Sequence, residues 1–188
     1  GVKHAARVGD YIELSGSRFV LWGGERSGSM PKGVAVTRDG KWVLTSNLGR
    51  KSGKNIAVYR PNPFEFSHFI SHSGNAIEIL PSVDNKRIFV TNQEKYGHLD
   101  ILDAETLERT DRIRISGFPK WMTESADGKH LYLALWNGNG VAKVTWPEGT
   151  ITKWKSKDGA RYGTGGRTKH PRGMVITQDG KTLIVANN

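Results

Sequence analysis

The chain has 188 residues, of which 28 are Lys or Arg and 18 are Asp or Glu, giving a formal net charge of +10. That length suffices for one sizeable hydrophobic core, and no apolar run approaches the ~20 residues that a membrane-spanning helix needs. The absence of cysteine excludes disulfides, thiolate metal sites and cysteine nucleophiles together.

Taken in chain order, residues 1–29 offer an outer pair of strands, Arg7–Leu14 and Arg18–Trp22. Residues 30–73 begin with the apolar run Val34–Thr37, a turn at Asp39-Gly40, and a second β-branched run from Trp42 to Thr45. Residues 74–116 repeat that plan around Asp84-Asn85, then alternate through His98–Asp103, turn at Ala104–Leu107 and return through Arg109–Ile115. Residues 117–169 turn at Asp127-Gly128, then run through Val141–Trp146, turn at Pro147-Glu148-Gly149 and return as Thr150–Trp154. Residues 170–188 supply one more inner pair around Asp179-Gly180. A two-residue period throughout, with no convincing helical period, predicts an all-β chain. Asp-Gly and Asp-Asn accept the positive backbone angles of a tight turn, so each apolar pair is expected to be an antiparallel hairpin.

The turn dipeptides are 45, 43 and 52 residues apart. That spacing is one four-stranded blade of a β-propeller, whose repeats run roughly 40 to 50 residues. The expectation is therefore three complete blades plus two half blades.

The phrases Pro31-Lys-Gly-Val-Ala-Val-Thr-Arg-Asp-Gly-Lys, Phe89-Val-Thr-Asn92 and Ile101-Leu-Asp-Ala-Glu-Thr106 together resemble the YVTN-type β-propeller repeat, over about residues 30–188. Three positions depart from the pattern: Leu135 replaces its Asn, and Glu78 and Trp121 replace its early Gly. The resemblance implies a ring that is usually seven-bladed, in a group that includes envelope and surface-layer proteins, 6-phosphogluconolactonase-like propellers and propeller domains of periplasmic redox enzymes. It also implies an extracytoplasmic location, the bacterial periplasm or cell surface. Two closures remain open. The N-terminal outer strands could zip onto the C-terminal inner strands and close a four-bladed ring. The preferred expectation is an excerpt of a larger ring, because the chain starts at Gly1 rather than a methionine and stops at Asn188, where the pattern runs on into another strand. Exposed blade edges would then be assembly surfaces.

Alignment on the turns places Lys32, Ile77, Lys120 and Arg172 at equivalent positions, where the innermost strand of each blade begins. In a propeller that point lies at the mouth of the central channel. Lys32, Lys120 and Arg172 are thus candidate ligand-binding cations around one pocket, with Glu78, Trp121 and His170 beside them, a set suited to a carboxylate, phosphate or acidic peptide. Glu78 and His170 are the only candidates there for acid or base work.

A second basic region crowds residues 153–172, with Lys153, Lys155, Lys157, Arg161 and Arg167 in a glycine-rich stretch. Together with Trp136, in the loop Trp136-Asn-Gly-Asn-Gly140, it forms a candidate partner surface; the plainer reading is a solvated loop. Arg50, Lys51 and Lys54 make a smaller basic cluster. The six tryptophans read first as inter-blade packing. His68 and His72 lie four apart without a third ligand at a readable spacing, so no metal site is assigned. Gly163-Thr-Gly-Gly166 lacks the strand-to-helix setting of a phosphate loop. No nucleic-acid motif is present, and no catalytic set or cofactor is assigned. The expected function is a non-enzymatic binding or scaffold propeller that holds an anionic small molecule, a glycan or a protein partner. A lactonase-like hydrolase or a redox-associated propeller enzyme is the alternative.

Overall fold

The computed structural model describes residues 11–14, 17–20, 30–48, 54–71, 74–94, 96–155 and 170–187. They form strands and turns, with no helix among them. The strands are β1 (Tyr11–Leu14), β2 (Ser17–Val20), β3 (Pro31–Val36), β4 (Val43–Asn47), β5 (Ile56–Pro61), β6 (Phe64–Ile70), β7 (Ala76–Pro81), β8 (Arg87–Asn92), β9 (His98–Asp103), β10 (Arg109–Arg114), β11 (Pro119–Glu124), β12 (His130–Leu135), β13 (Gly140–Thr145), β14 (Thr150–Lys155), β15 (Pro171–Ile176) and β16 (Leu183–Asn187). Three antiparallel four-stranded sheets, β3-β4-β5-β6, β7-β8-β9-β10 and β11-β12-β13-β14, stand between two hairpins, β1-β2 and β15-β16.

Neighbouring sheets meet through their first strands in the order β3, β7, β11, β15. The sheets form blades around a common axis, and the arc they describe is open. The hairpin β1-β2 pairs within itself and is not hydrogen-bonded to β15-β16.

The core follows from the two-residue period of the strands. On β8, Ile88 and Val90 face Leu44, Ile56 and Val58 of the preceding blade, whereas Phe89 turns the other way, onto Met122, Leu131 and Leu133 of the next. A smaller cluster of Ala134, Val141, Met174 and Val185 joins the third blade to the β15-β16 hairpin. The outermost faces lack such partners among the described residues: Val34 is 69% exposed on β3, and Val175 is 55% exposed on β15. Trp146 stacks on Phe89 at 5.5 Å, and Trp42 packs on the cluster between the first two blades, as inter-blade packing requires. Trp121 and Trp154 are exposed instead.

The Asp-Gly dipeptides sit inside longer loops. Six residues, 37–42, separate β3 from β4, and only the second member of each dipeptide has positive φ: Gly40 (70°), Asn85 (54°), Gly128 (69°) and Gly180 (70°). The Asp side chain closes the loop. Asp127 accepts a hydrogen bond from the Ser125 hydroxyl at 2.7 Å and from the Lys129 N–H at 3.0 Å, and Asp179 does the same with Thr177 and Lys181. These bonds hold both carboxyls below their usual pKa, the hydroxyl contributing most. The repeated Ser/Thr-x-Asp-Gly-Lys phrase is therefore a self-satisfied turn.

Candidate functional site

Every innermost strand breaks register where it begins. Pro31 pairs with Asn47 but Gly33 with Ser46; Ala76 pairs with Asn92 but Ile79 with Val90; Pro119 pairs with Leu135 but Met122 with Leu133; Pro171 pairs with Asn187 but Gly173 with Ala186. A bulge of this kind frees residues from the ladder and re-aims their side chains. The freed positions are 32, 77–78, 120–121 and 172. Successive residues on a flat strand face opposite ways, yet here both Ile77 and Glu78, and both Lys120 and Trp121, line one cavity.

Buried hydroxyls on the second strands lock the bulges to one another. The Gly33 N–H donates to Ser46 Oγ at 2.7 Å, and that hydroxyl donates to the Ile77 carbonyl of the next blade at 2.6 Å. In the next blade the Glu78 N–H donates to Thr91 Oγ1 at 3.0 Å, which donates to the Lys120 carbonyl at 2.9 Å. The Thr of the Val-Thr-Asn phrase thus ties adjacent blades at the rim of the cavity. The following Asn shapes the loop beyond: the Asn92 side chain donates to Asp100 at 2.9 Å and accepts the Glu94 N–H at 2.9 Å. In the third blade Leu135 fills that role apolarly, packed where a Cβ on Gly138 would come within 2.8 Å of it.

The cavity measures about 460 Å³, within the range of small-molecule sites, and Lys32, Glu78, Lys120, Trp121 and Arg172 line it with Leu48 and Gln93. Lys120 is half-buried, and its pKa is lowered by burial first and then by the like charges of Arg172 and Lys32. Trp136 lies under two of the cations: Lys120 Nζ sits 3.5 Å from its ring centroid and the Arg172 guanidinium carbon 5.0 Å. Each such contact is worth about 0.5–2 kcal/mol and offsets part of the repulsion between the two charges. His170 packs on the same indole at 4.7 Å, and its Nδ1 lies 3.0 Å from the Trp136 carbonyl. A carbonyl only accepts, so Nδ1 carries the proton there.

Glu78 is the one acid of the set. Burial raises its carboxyl from 4.5 to about 7, and no ion pair joins it to the three cations among the described residues. The cavity therefore combines a cationic side with a carboxyl that is partly protonated at neutral pH.

The sequence-derived residues fall into three groups. Lys32, Glu78, Lys120, Trp121 and Arg172 converge on the cavity, and His170 joins them through Trp136. Trp136 itself sits with these residues, its ring against Lys120, Arg172 and His170. Lys153 is exposed and its Nζ donates to the Ile115 carbonyl. The Lys155 side chain and Lys157, Arg161, Arg167, His72, Arg50, Lys51 and Gly163–Gly166 lie outside the described residues. Sequence reading missed Leu48, Gln93 and Trp136 as a set. The signal was present: each directly follows the partner of the strand's first residue, after Asn47, Asn92 and Leu135.

The arrangement of blades recurs in known structures. The hydrazine synthase of Kuenenia stuttgartiensis superposes with a TM-score of 0.67 at 18% identity over 82% of this chain and 49% of that one. The periplasmic gluconolactonase of Pseudomonas aeruginosa gives 0.67 at 17% identity over 92% and 54%. A protein of Bacteroides uniformis, provisionally named a 6-phosphogluconolactonase, gives 0.64 at 20% identity over 91% and 52%. The fold is that of a β-propeller. At these identities the likeness concerns the fold alone, and the propeller chain spans about half the length of each of these proteins. No family model matches the propeller, and no curated protein matches it either. No helix among its described residues is long and apolar enough to cross a membrane, and no group of three or more His, Asp or Glu among them could hold a metal ion.

Proposed function

We propose that this propeller is a binding module whose axial cavity holds an anionic small molecule, a carboxylate or a phosphate, between Lys32, Lys120 and Arg172. The observation that carries the reading is the convergence of three cations from three blades on one cavity, with Lys120 and Arg172 braced on the Trp136 ring. Like charges are held together at a cost unless an anion shares them, and partial burial makes that anion's hydrogen bonds stronger than in water. The repeat is of the YVTN type on its Val-Thr-Asn and Asp-Gly phrases, and the periplasmic gluconolactonase among its structural neighbours favours an extracytoplasmic location. Titration calorimetry with inorganic phosphate and with citrate at low ionic strength tests the site. Binding to the unmodified protein that disappears when Lys32, Lys120 and Arg172 are all replaced by Ala, with melting temperature retained, supports it. Equal binding by both proteins refutes it.

A second reading rests on Glu78. A carboxyl that titrates near 7 inside a cationic cavity has the properties of a general base. In lactone hydrolysis it would take a proton from water as the water oxygen attacks the lactone carbonyl. The cations would hold the resulting oxyanion, the ring C–O bond would break, and the freed alkoxide would take up a proton. Two of the structural neighbours carry lactonase names. Hydrolysis of gluconolactone above the uncatalysed rate, abolished by Glu78→Gln, would make this the principal reading; its absence leaves the binding module.

A further inference from the structure

Aligned on the bulges, each blade offers two positions at the start of its inner strand, Lys32 and Gly33, Ile77 and Glu78, Lys120 and Trp121, Arg172 and Gly173, and all of these but Gly33 line the cavity. The first position carries the cations. The second is glycine in the first and last of these blades, and neither Gly33 nor Gly173 has positive φ. Backbone conformation therefore does not demand glycine there, although space does at Gly33, where a Cβ would lie 3.0 Å from both the Ile77 carbonyl oxygen and Ser46 Oγ. In the middle blades the second position departs from the repeat, to an acid and to an indole.

Trp121 has no structural task that accounts for it. It is 42% exposed, belongs to none of the three core clusters, and no aromatic or cationic side chain packs on its ring among the described residues. Trp136, fifteen residues on, shows the contrast, since its ring is covered by Lys120, Arg172 and His170. An uncovered indole at the wall of a cavity is apolar surface and a stacking face in want of a partner. Leu48 lines the same cavity, and Glu78 and Gln93 supply hydrogen bonds without a further positive charge.

We propose that Trp121 is a specificity-determining residue, selecting anions that carry a flat aromatic ring: the ring stacks on the indole while the phosphate or carboxylate meets Lys120 and Arg172. The proposal rests on the anion-binding reading above. A cavity of about 460 Å³ accommodates one ring with its anionic group.

The test is calorimetry with three probes, inorganic phosphate, phenyl phosphate and glucose 6-phosphate, on the unmodified protein, Trp121→Ala, Trp121→Phe and Lys120→Ala/Arg172→Ala. The expected result is phenyl phosphate binding about tenfold tighter than phosphate, the size of an aromatic stacking contact plus the area it buries. That preference disappears in Trp121→Ala and survives at several-fold in Trp121→Phe, which also guards against a folding defect in the Ala variant. The double cation variant weakens all three probes. Equal affinity for phosphate and phenyl phosphate in the unmodified protein overturns the proposal, as does a Trp121→Ala protein that weakens all three alike; both results leave the anion site standing. A gain for glucose 6-phosphate as large as that for phenyl phosphate, lost in Trp121→Ala, assigns the indole to a sugar face and overturns the aromatic reading. If no probe binds the unmodified protein, the anion site itself fails and this proposal with it.

Discussion

Replacing Glu78 with Gln separates a buried carboxyl's effect on stability from every other titration in the molecule. Folding raises the pKa of this group from 4.5 to about 7 because the cavity wall strips water from it. Below 4.5 the carboxyl is neutral in both states and costs nothing. Between 4.5 and about 7 the unfolded chain ionises while the folded one keeps its proton, so stability falls as pH rises. Above about 7 both states are ionised and the full penalty is in force. A change of that size corresponds to about 3 kcal/mol, and partial solvent exposure of the side chain reduces it to about 2 kcal/mol. Gln keeps the shape and cannot ionise. Urea unfolding of both proteins from pH 4 to pH 9 should therefore give a stability difference that grows in favour of Gln across pH 4.5–7 by about 2 kcal/mol and then levels off. In thermal melts this equals about 4–8 °C for a chain of this size. A difference that is flat with pH would show that Glu78 titrates normally and that the cavity does not desolvate it. A difference of opposite slope would show that the three cations govern it.

Other substitutions test the bracing of the site. Thr91→Val leaves the Glu78 N–H and the Lys120 carbonyl without their shared hydroxyl and should lower the unfolding free energy in urea by about 1–3 kcal/mol, with Ser46→Ala behaving alike in the preceding blade. Arg112 makes two hydrogen bonds to the fully buried Asp100, at 2.5 and 3.2 Å, and one to Glu94 at 2.9 Å. Arg112→Ala removes the nearest cation from that carboxylate, leaving it Asn92 at 2.9 Å and Arg109 at 3.9 Å, and should destabilise the protein by about 3 kcal/mol in the same assay. Trp136→Leu removes the ring beneath Lys120 and Arg172; phosphate affinity measured by calorimetry should fall about five- to thirtyfold, reflecting about 0.5–1 kcal/mol for each of the two contacts. An unchanged affinity would show that the two cations are held by other means.

The repeat made the architecture legible, because a blade needs the same turn chemistry each time, and Asp39, Asp84, Asp127 and Asp179 announce it in the sequence. It also made the cation set legible, since Lys32, Lys120 and Arg172 share one register. The bulges were not legible. Alternation of apolar residues predicts that neighbours such as Lys120 and Trp121 face opposite ways, and only the skipped pairing between Pro119 and Met122 brings both to the cavity. The place of Trp136 at the site was not legible for a related reason: in the sequence it reads as part of a glycine-rich loop, and only the pairing of Pro119 with Leu135 shows it to be the counterpart of Leu48 and Gln93. Ser46 and Thr91 look like ordinary β-formers in the sequence, and their hydroxyl bridges between blades need three dimensions to be seen.

The skipped pairings have a consequence for how such a cavity changes over time. Where a strand is already out of register, exchanging the displaced side chains disturbs no ladder bond, and the bonds through Ser46 and Thr91 engage backbone groups alone; Gly33, closed in by the Ile77 carbonyl and Ser46 Oγ, is the exception. The freed positions 32, 77–78, 120–121 and 172 can thus be exchanged without rebuilding the blades that carry them. A family built on this repeat can move from one ligand to another by point changes at the axis while the turns, the hydroxyl bridges and the packing between blades stay as they are.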